Sequence, residues 1–145
     1  MKKDNDLFYI CSLVEYIGRN QKLKRGEVIN ALGKFFGQIY TDAPVLHCEP
    51  IAKIADEFIT LCNIPVGEYD SVAECKYNIP DYWTIGEVFE RLISDTNQGE
   101  PIIETAQSIY QYWITDALTD FNTDFYYQPR DYIRECSKFG GYLDG

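Results

Sequence analysis

The stretch PIIETAQSIYQYWITDALTDF, residues 101–121, sets Ile102, Ile103, Ala106, Ile109, Tyr110, Trp113, Ile114, Ala117, Leu118 and Phe121 at spacings of three and four. Such a recurrence is a wide apolar stripe along a helix of roughly five turns. Pro101 suits the start, where its missing N–H costs nothing. The spacing predicts the longest helix of the chain here, at the centre of an all-α core.

Working outward, the same period predicts five further helices. The first follows Asp4, Asn5 and Asp6, carries Leu7, Ile10, Cys11, Val14 and Ile17 on one face, and ends at Gly18 to Asn20. The second carries Val28, Leu32, Phe35, Phe36 and Ile39, weakened by Gly33, with Gly37 near its end. Pro44 and Pro50 bracket a non-helical segment, and the third helix runs from Pro50 with Ile51, Ile54, Ala55, Phe58, Ile59 and Cys62 inward. Residues 65–83 lose the helical period and read as a long ordered loop lying over the 101–121 helix. Thr84-Ile85-Gly86-Glu87 matches a capping box for the fourth helix, with Trp83 stapling onto Val88. After the central helix, residues 122–128 are irregular. Pro129 opens a short last helix with Tyr132, Ile133 and Cys136 inward, closed by Gly140-Gly141. The expectation is a single-domain helical bundle spanning residues 1–145, with about six helices and residues 140–145 as a flexible tail. A chain of 145 residues buries roughly 70% of its unfolded surface and needs no metal or disulfide to hold it.

Charge is divided unevenly. Residues 1–40 hold seven Lys/Arg and four Asp/Glu, whereas residues 41–145 hold six and nineteen, so a +3 segment precedes a −13 remainder. An acidic field steers basic partners inward and repels nucleic acid. The basic run Arg19, Lys22, Lys24 and Arg25 is too small to bind nucleic acid directly against that remainder. Apolar runs are too short to span a bilayer. Five cysteines with no CxxC pair and no signal peptide at MKKDNDLF point to free thiols and a cytoplasmic protein.

Chemistry-bearing motifs are sparse. His47 and Cys48 are adjacent, and Cys48 precedes a helix start that favours a thiolate. They are the alternative catalytic pair of a small enzyme, although sequence neighbours diverge in direction. The alternative for the same residues is structural, with Leu46 and Cys48 buried and Glu49 capping the third helix. His47, Cys48, Cys62 and Cys75 lack the paired spacing of a zinc site, so no metal and no cofactor is expected. Asp116 and Asp120, four apart, share one helix face and read as a solvated surface.

Two loops combine acids with aromatics. Glu68, Tyr69, Asp70, Glu74, Asp81 and Tyr82 lie in the first, and Asp120, Asp124, Tyr126 and Tyr127 in the second. Aromatic anchors rimmed by carboxylates suit a basic protein partner, the rings supplying burial and the acids supplying steering. The other reading is that the rings tie the loops to the core and the acids only solvate them.

Leu7-Phe8-Tyr9-Ile10-Cys11-Ser12-Leu13-Val14-Glu15-Tyr16-Ile17, Gly26-Glu27-Val28-Ile29, Ala31-Leu32-Gly33, Tyr40 and Val45-Leu46-His47-Cys48 resemble a small uncharacterised bacterial domain family. Its genes often lie near those for ADP-ribosyltransferase-like toxins. The resemblance covers residues 7–60, implies an antitoxin or accessory role by association, and carries over no catalytic residue. Together these readings describe a non-enzymatic acidic interaction protein, an antitoxin or inhibitor of a basic partner. The alternatives are an enzyme using Cys48 and His47, or an inhibitor whose carboxylates mimic nucleic-acid phosphates.

Overall fold

Eight α-helices follow one another in the computed structural model, which describes residues 2–73 and 75–143. They are α1 (Asn5–Gln21), α2 (Arg25–Leu32), α3 (Phe35–Leu46), α4 (Ile51–Leu61), α5 (Tyr82–Thr96), α6 (Ile102–Tyr110), α7 (Trp113–Leu118) and α8 (Arg130–Phe139). A turn of 3-10 helix, Phe125–Tyr127, precedes α8, and no strand occurs among the described residues. The chain is a single all-α domain.

The helix at the centre is α1, not the segment 101–121. Leu7, Ile10, Cys11, Leu13, Val14 and Ile17 are wholly buried, and α1 packs on α2, α3, α4 and α5. A helix apolar on nearly every side belongs in the interior. Asp4 caps its start, its carboxylate accepting from the Leu7 N–H at 3.0 Å. Lys22 ends it in the left-handed region at φ 55°. The 101–121 stripe is instead broken at Gln111–Tyr112 into α6 and α7. Two side chains hold the break: the Thr115 hydroxyl donates to the Ile109 carbonyl at 2.6 Å, and the Gln111 side-chain amide donates to the Gly26 carbonyl at 2.9 Å. Asp120 therefore lies beyond α7 and shares no helix face with Asp116, which pairs with Lys24 at 3.6 Å.

Other boundaries moved for local reasons. The single second helix is two, because Gly33 turns the chain at φ 53°, ψ −127°, a conformation closed to side chains with a Cβ. Helix α3 runs through Pro44 to Leu46. Pro44 is exposed and lies in the last turn, so it removes one helical bond near the helix end. The cap of α5 is Asp81, which accepts from the Thr84 N–H at 2.7 Å, so the Thr84–Glu87 capping box does not form. Residues 141–143 fold back on α7 and α8: Tyr142 meets Trp113 at 5.5 Å, and the Tyr132 hydroxyl donates to the Leu143 carbonyl at 2.8 Å.

The long loop ties down at the end of α1, and among the described residues its hydrogen bonds meet the 101–121 segment only at its end, where the Cys75 thiol donates to the Phe121 carbonyl at 3.3 Å. Gly67 and Tyr69 donate to the carbonyls of Gln21 and Lys22 at 2.7 and 2.9 Å. A Cβ at Gly67 would stand 2.6 Å from the Lys22 oxygen. Beneath this corner lies an ionic cluster. Arg25 is wholly buried and grips Glu15 through both carboxylate oxygens at 2.8 and 2.7 Å, and Arg19 adds a bond at 2.7 Å. Arg25 also donates to the Leu23 carbonyl and to Ser71 of the loop, at 2.8 and 2.9 Å. Burial works to raise the Glu15 pKa, but Arg25 and Arg19 outweigh it and hold the carboxyl below its ordinary range. Two cations of the basic run thus face inward, and Lys22 and Lys24 remain on the surface.

Candidate functional site

The acidic aromatic residues do not form one face. They separate into three places set by the elements that carry them.

Glu68, Tyr69 and Asp70 sit on the basic corner between α1 and α2. Lys24 stands over the Tyr69 ring at 5.8 Å. Asp70 closes its own turn, accepting from the Val72 and Ala73 N–H groups at 3.1 and 2.9 Å. These backbone bonds, with Lys22 adding to them, hold its pKa below the ordinary value. Glu74 lies outside the described residues.

Asp81 and Tyr82 open α5 on another side. Asp81 is spent as a cap. Tyr82 packs edge-on against Tyr16 at 5.2 Å and beside Trp83 at 5.1 Å. Here α1, the end of α3 and the starts of α4 and α5 enclose a cleft of two lobes, about 480 and 510 Å³. Tyr9, His47 and Trp83 line both lobes. Tyr9 is only 4% exposed, its hydroxyl is buried without a hydrogen-bond partner, and burial pushes its pKa up to about 12.

The third place is the corner after α7. The 3-10 turn and the loop before it bring Asp124, Tyr126 and Tyr127 beside Tyr77 around a concavity of about 480 Å³. The two loops meet there through the Lys76 N–H, which donates to the Asn122 side chain at 3.0 Å. Tyr127 is 81% exposed and Tyr77 66%. Phe121 and Tyr126 stack edge-to-face at 6.0 Å, fixing the floor. Asp120 stays at the rim, accepting from the Asn122 N–H at 3.1 Å. Among the described residues no lysine or arginine lines this concavity. On the far side of Tyr126 and Tyr127 a groove holds Arg91 and Arg130. Both are already engaged, Arg91 by Glu87 and Arg130 by both oxygens of Asp95 at 2.7 Å.

His47 and Cys48 end α3 on the surface. Both are exposed, with Cys48 Sγ 4.0 Å from His47 Nε2 and 3.9 Å from the Pro44 carbonyl. The buried position expected for Cys48 is not found, and Glu49 pairs with Lys53 at 3.2 Å instead of capping α4, whose N-cap is Pro50. A thiol–imidazole gap of this length exceeds a good hydrogen bond, and among the described residues no carboxylate is bonded to the ring to orient it. No group of three or more His, Cys, Asp or Glu is placed to hold a metal among the described residues. Nor is any helix among them long and apolar enough to cross a membrane.

Sequence reasoning missed Tyr77 as an exposed ring and Tyr9 and Tyr16 as cleft-lining residues. Tyr9 and Tyr16 are seven apart, hence on one side of α1, and two phenols on an otherwise apolar helix are the signal that pointed there.

No family model, curated protein or solved structure matches the chain.

Proposed function

We propose that the protein is a non-enzymatic interaction module that receives a basic segment of a protein partner at the Tyr77–Asp124–Tyr126–Tyr127 corner. One observation carries this reading: two loops far apart in sequence converge on exposed tyrosines with Asp124 among them, and among the described residues no cation lines the concavity. Exposed tyrosines supply large contact area at low side-chain entropy cost. The net charge of −10 raises the encounter rate with a basic surface. Inhibition of a basic toxin is the form of this activity that the resemblance of residues 7–60 favours.

The test is capture from native lysate with the whole chain as bait, at low and moderate salt, beside a Tyr127→Ala variant. A basic protein is expected on the wild-type chain, held less at moderate salt. Loss of an anchoring tyrosine should weaken retention by about 2 kcal/mol, or roughly thirtyfold. Retention that ignores both salt and Tyr127 would count against the corner, and so would retention of nothing basic. Competition by duplex DNA for the captured partner would favour phosphate mimicry over simple neutralisation.

A further inference from the structure

The cleft at the start of α5 is walled by rings and has one acid in each lobe. We propose that it is a guanidinium-binding pocket, taking the side chain of an arginine onto the aromatic rings of Tyr82 and Trp83 in the lobe that holds Glu49, with Glu49 as its charge partner and Asp6 adding negative potential from the neighbouring lobe.

The charge argument comes first. Asp6 lines one lobe, Glu49 lines the other, and among the described residues neither lobe is lined by a lysine or an arginine. The starts of α4 and α5 also border the cleft, and a helix N-terminus by itself favours an anion, with roughly half a positive charge. Two full carboxylates outweigh that, and Asp81 already engages the first turn of α5. Glu49 is paired only with Lys53, four residues on, and both side chains are half-exposed. An exposed pair of this kind contributes little to stability and yields to a better donor.

The shape argument selects among cations. Tyr16, Tyr82 and Trp83 line the lobe that holds Glu49, and a planar guanidinium stacks on aromatic faces while its in-plane N–H groups reach sideways to oxygen acceptors. An ammonium is more strongly hydrated and gains less from stacking. The same aromatic cluster already holds one cation on its outer side. Lys3 stands 3.9 Å from the Phe8 ring centroid and 3.8 Å from Glu87, and Phe8 in turn packs on Trp83 at 5.4 Å.

This assignment is independent of the Tyr77–Tyr127 corner and fails separately from it. The experiment uses the whole chain carrying Trp113→Phe, which leaves Trp83 as the one indole. The Trp113 N–H has no hydrogen-bond partner, so this change removes no bond. The probes are N-acetyl-arginine amide, its lysine counterpart and its neutral citrulline counterpart, followed by Trp83 emission. The arginine probe should saturate with a dissociation constant on the order of 1 mM, and the other two should bind at least about fivefold more weakly. Glu49→Gln should weaken arginine binding by about threefold. Glu49 lies half-exposed at the surface, so that variant tests the pocket without disturbing the core; Tyr82→Ala, checked for helicity, should weaken it by about fivefold. Equal responses to arginine and citrulline would overturn the proposal. So would lysine binding as tightly as arginine, no saturable change at all, or a Glu49→Gln variant that binds like its parent. A silent cleft in a chain that still captures its partner through Tyr127 would remove this pocket alone.

Discussion

A carboxylate and a guanidinium withdrawn from water gain less from each other than they lose, unless their remaining polar atoms are also bonded. Glu15 and Arg25 come close to meeting that condition. Both Glu15 oxygens accept from Arg25, Arg19 adds a third bond, and Arg25 reaches Leu23 and Ser71 with what is left. Removing one member strands the other in the interior. Glu15→Ala should therefore destabilise the chain by about 3–5 kcal/mol in urea denaturation, and a loss under about 1 kcal/mol would mean that water reaches Arg25. Arg25→Lys should destabilise the chain too, because an ammonium cannot bridge both oxygens while also reaching Leu23 and Ser71. The same cluster sets a pH dependence. The Glu15 carboxyl is held below its ordinary value in the folded state, so the unfolded chain takes up its proton first as pH falls. The stabilisation is complete above the ordinary carboxylate range and is lost as pH drops through the folded value. The acid limb of the stability–pH curve should be steeper for the wild-type chain than for Glu15→Gln, measured from denaturation midpoints.

Helices α1 and α5 cross where Ser12 faces Gly86. A Cβ built at Gly86 would overlap the Ser12 hydroxyl and stand 2.8 Å from its backbone nitrogen and 2.9 Å from its Cα. Backbone cannot rotate aside as a side chain can, so the helices would have to part. Gly86→Ala should cost about 1–3 kcal/mol despite its better helix propensity. A thermal midpoint unchanged or raised would show that α5 slides freely on α1. In the sequence this glycine looks like filler inside a capping box, since nothing local announces that another helix crosses there. The same limit explains the break at Gln111–Tyr112. Apolar spacing continues across it without glycine or proline, and Gly26, whose carbonyl holds the Gln111 side chain at the break, becomes its neighbour only in the fold. By contrast, the existence of α1, α4, α5 and α8 was legible, because period and stop signals agree there. The centre was misassigned for a readable reason. Residues 101–121 keep Glu104, Gln107, Gln111 and Asp116 on one side, whereas Leu7 to Ile17 carry Glu15 as their one charge, and Glu15 is buried.

Over the whole molecule, the sequence showed that acids and aromatics are abundant but not where they gather. Of the ten residues read as one face, Asp124, Tyr126 and Tyr127 share a concavity with Tyr77, while Asp70 and Asp81 are occupied as turn and helix caps. Short polar side chains beside helix starts serve the backbone first, which composition alone does not reveal. The division of charge along the chain has a matching use in space. Lys3 and Lys24 from the basic first segment pair with Glu87 and Asp116 from the acidic remainder, at 3.8 and 3.6 Å, and Arg19 and Arg25 are turned inward on Glu15. The exposed pairs are worth roughly 0–1 kcal/mol each, too little to offset mutual repulsion in a chain of net charge −10. Two outcomes oppose each other when salt is added at neutral pH: screening weakens those surface pairs, and it also relieves the repulsion among the remaining acids. The buried Glu15–Arg25 contact is screened least and holds in either case. Repulsion acts over many more pairs than attraction does, so the thermal midpoint should rise as sodium chloride is increased from low ionic strength, and Lys3→Gln should shift it little. A midpoint that falls with salt would instead make the Lys3–Glu87 and Lys24–Asp116 links the larger effect, and would mean that the acidic surface is already balanced and exerts little long-range pull on a basic partner.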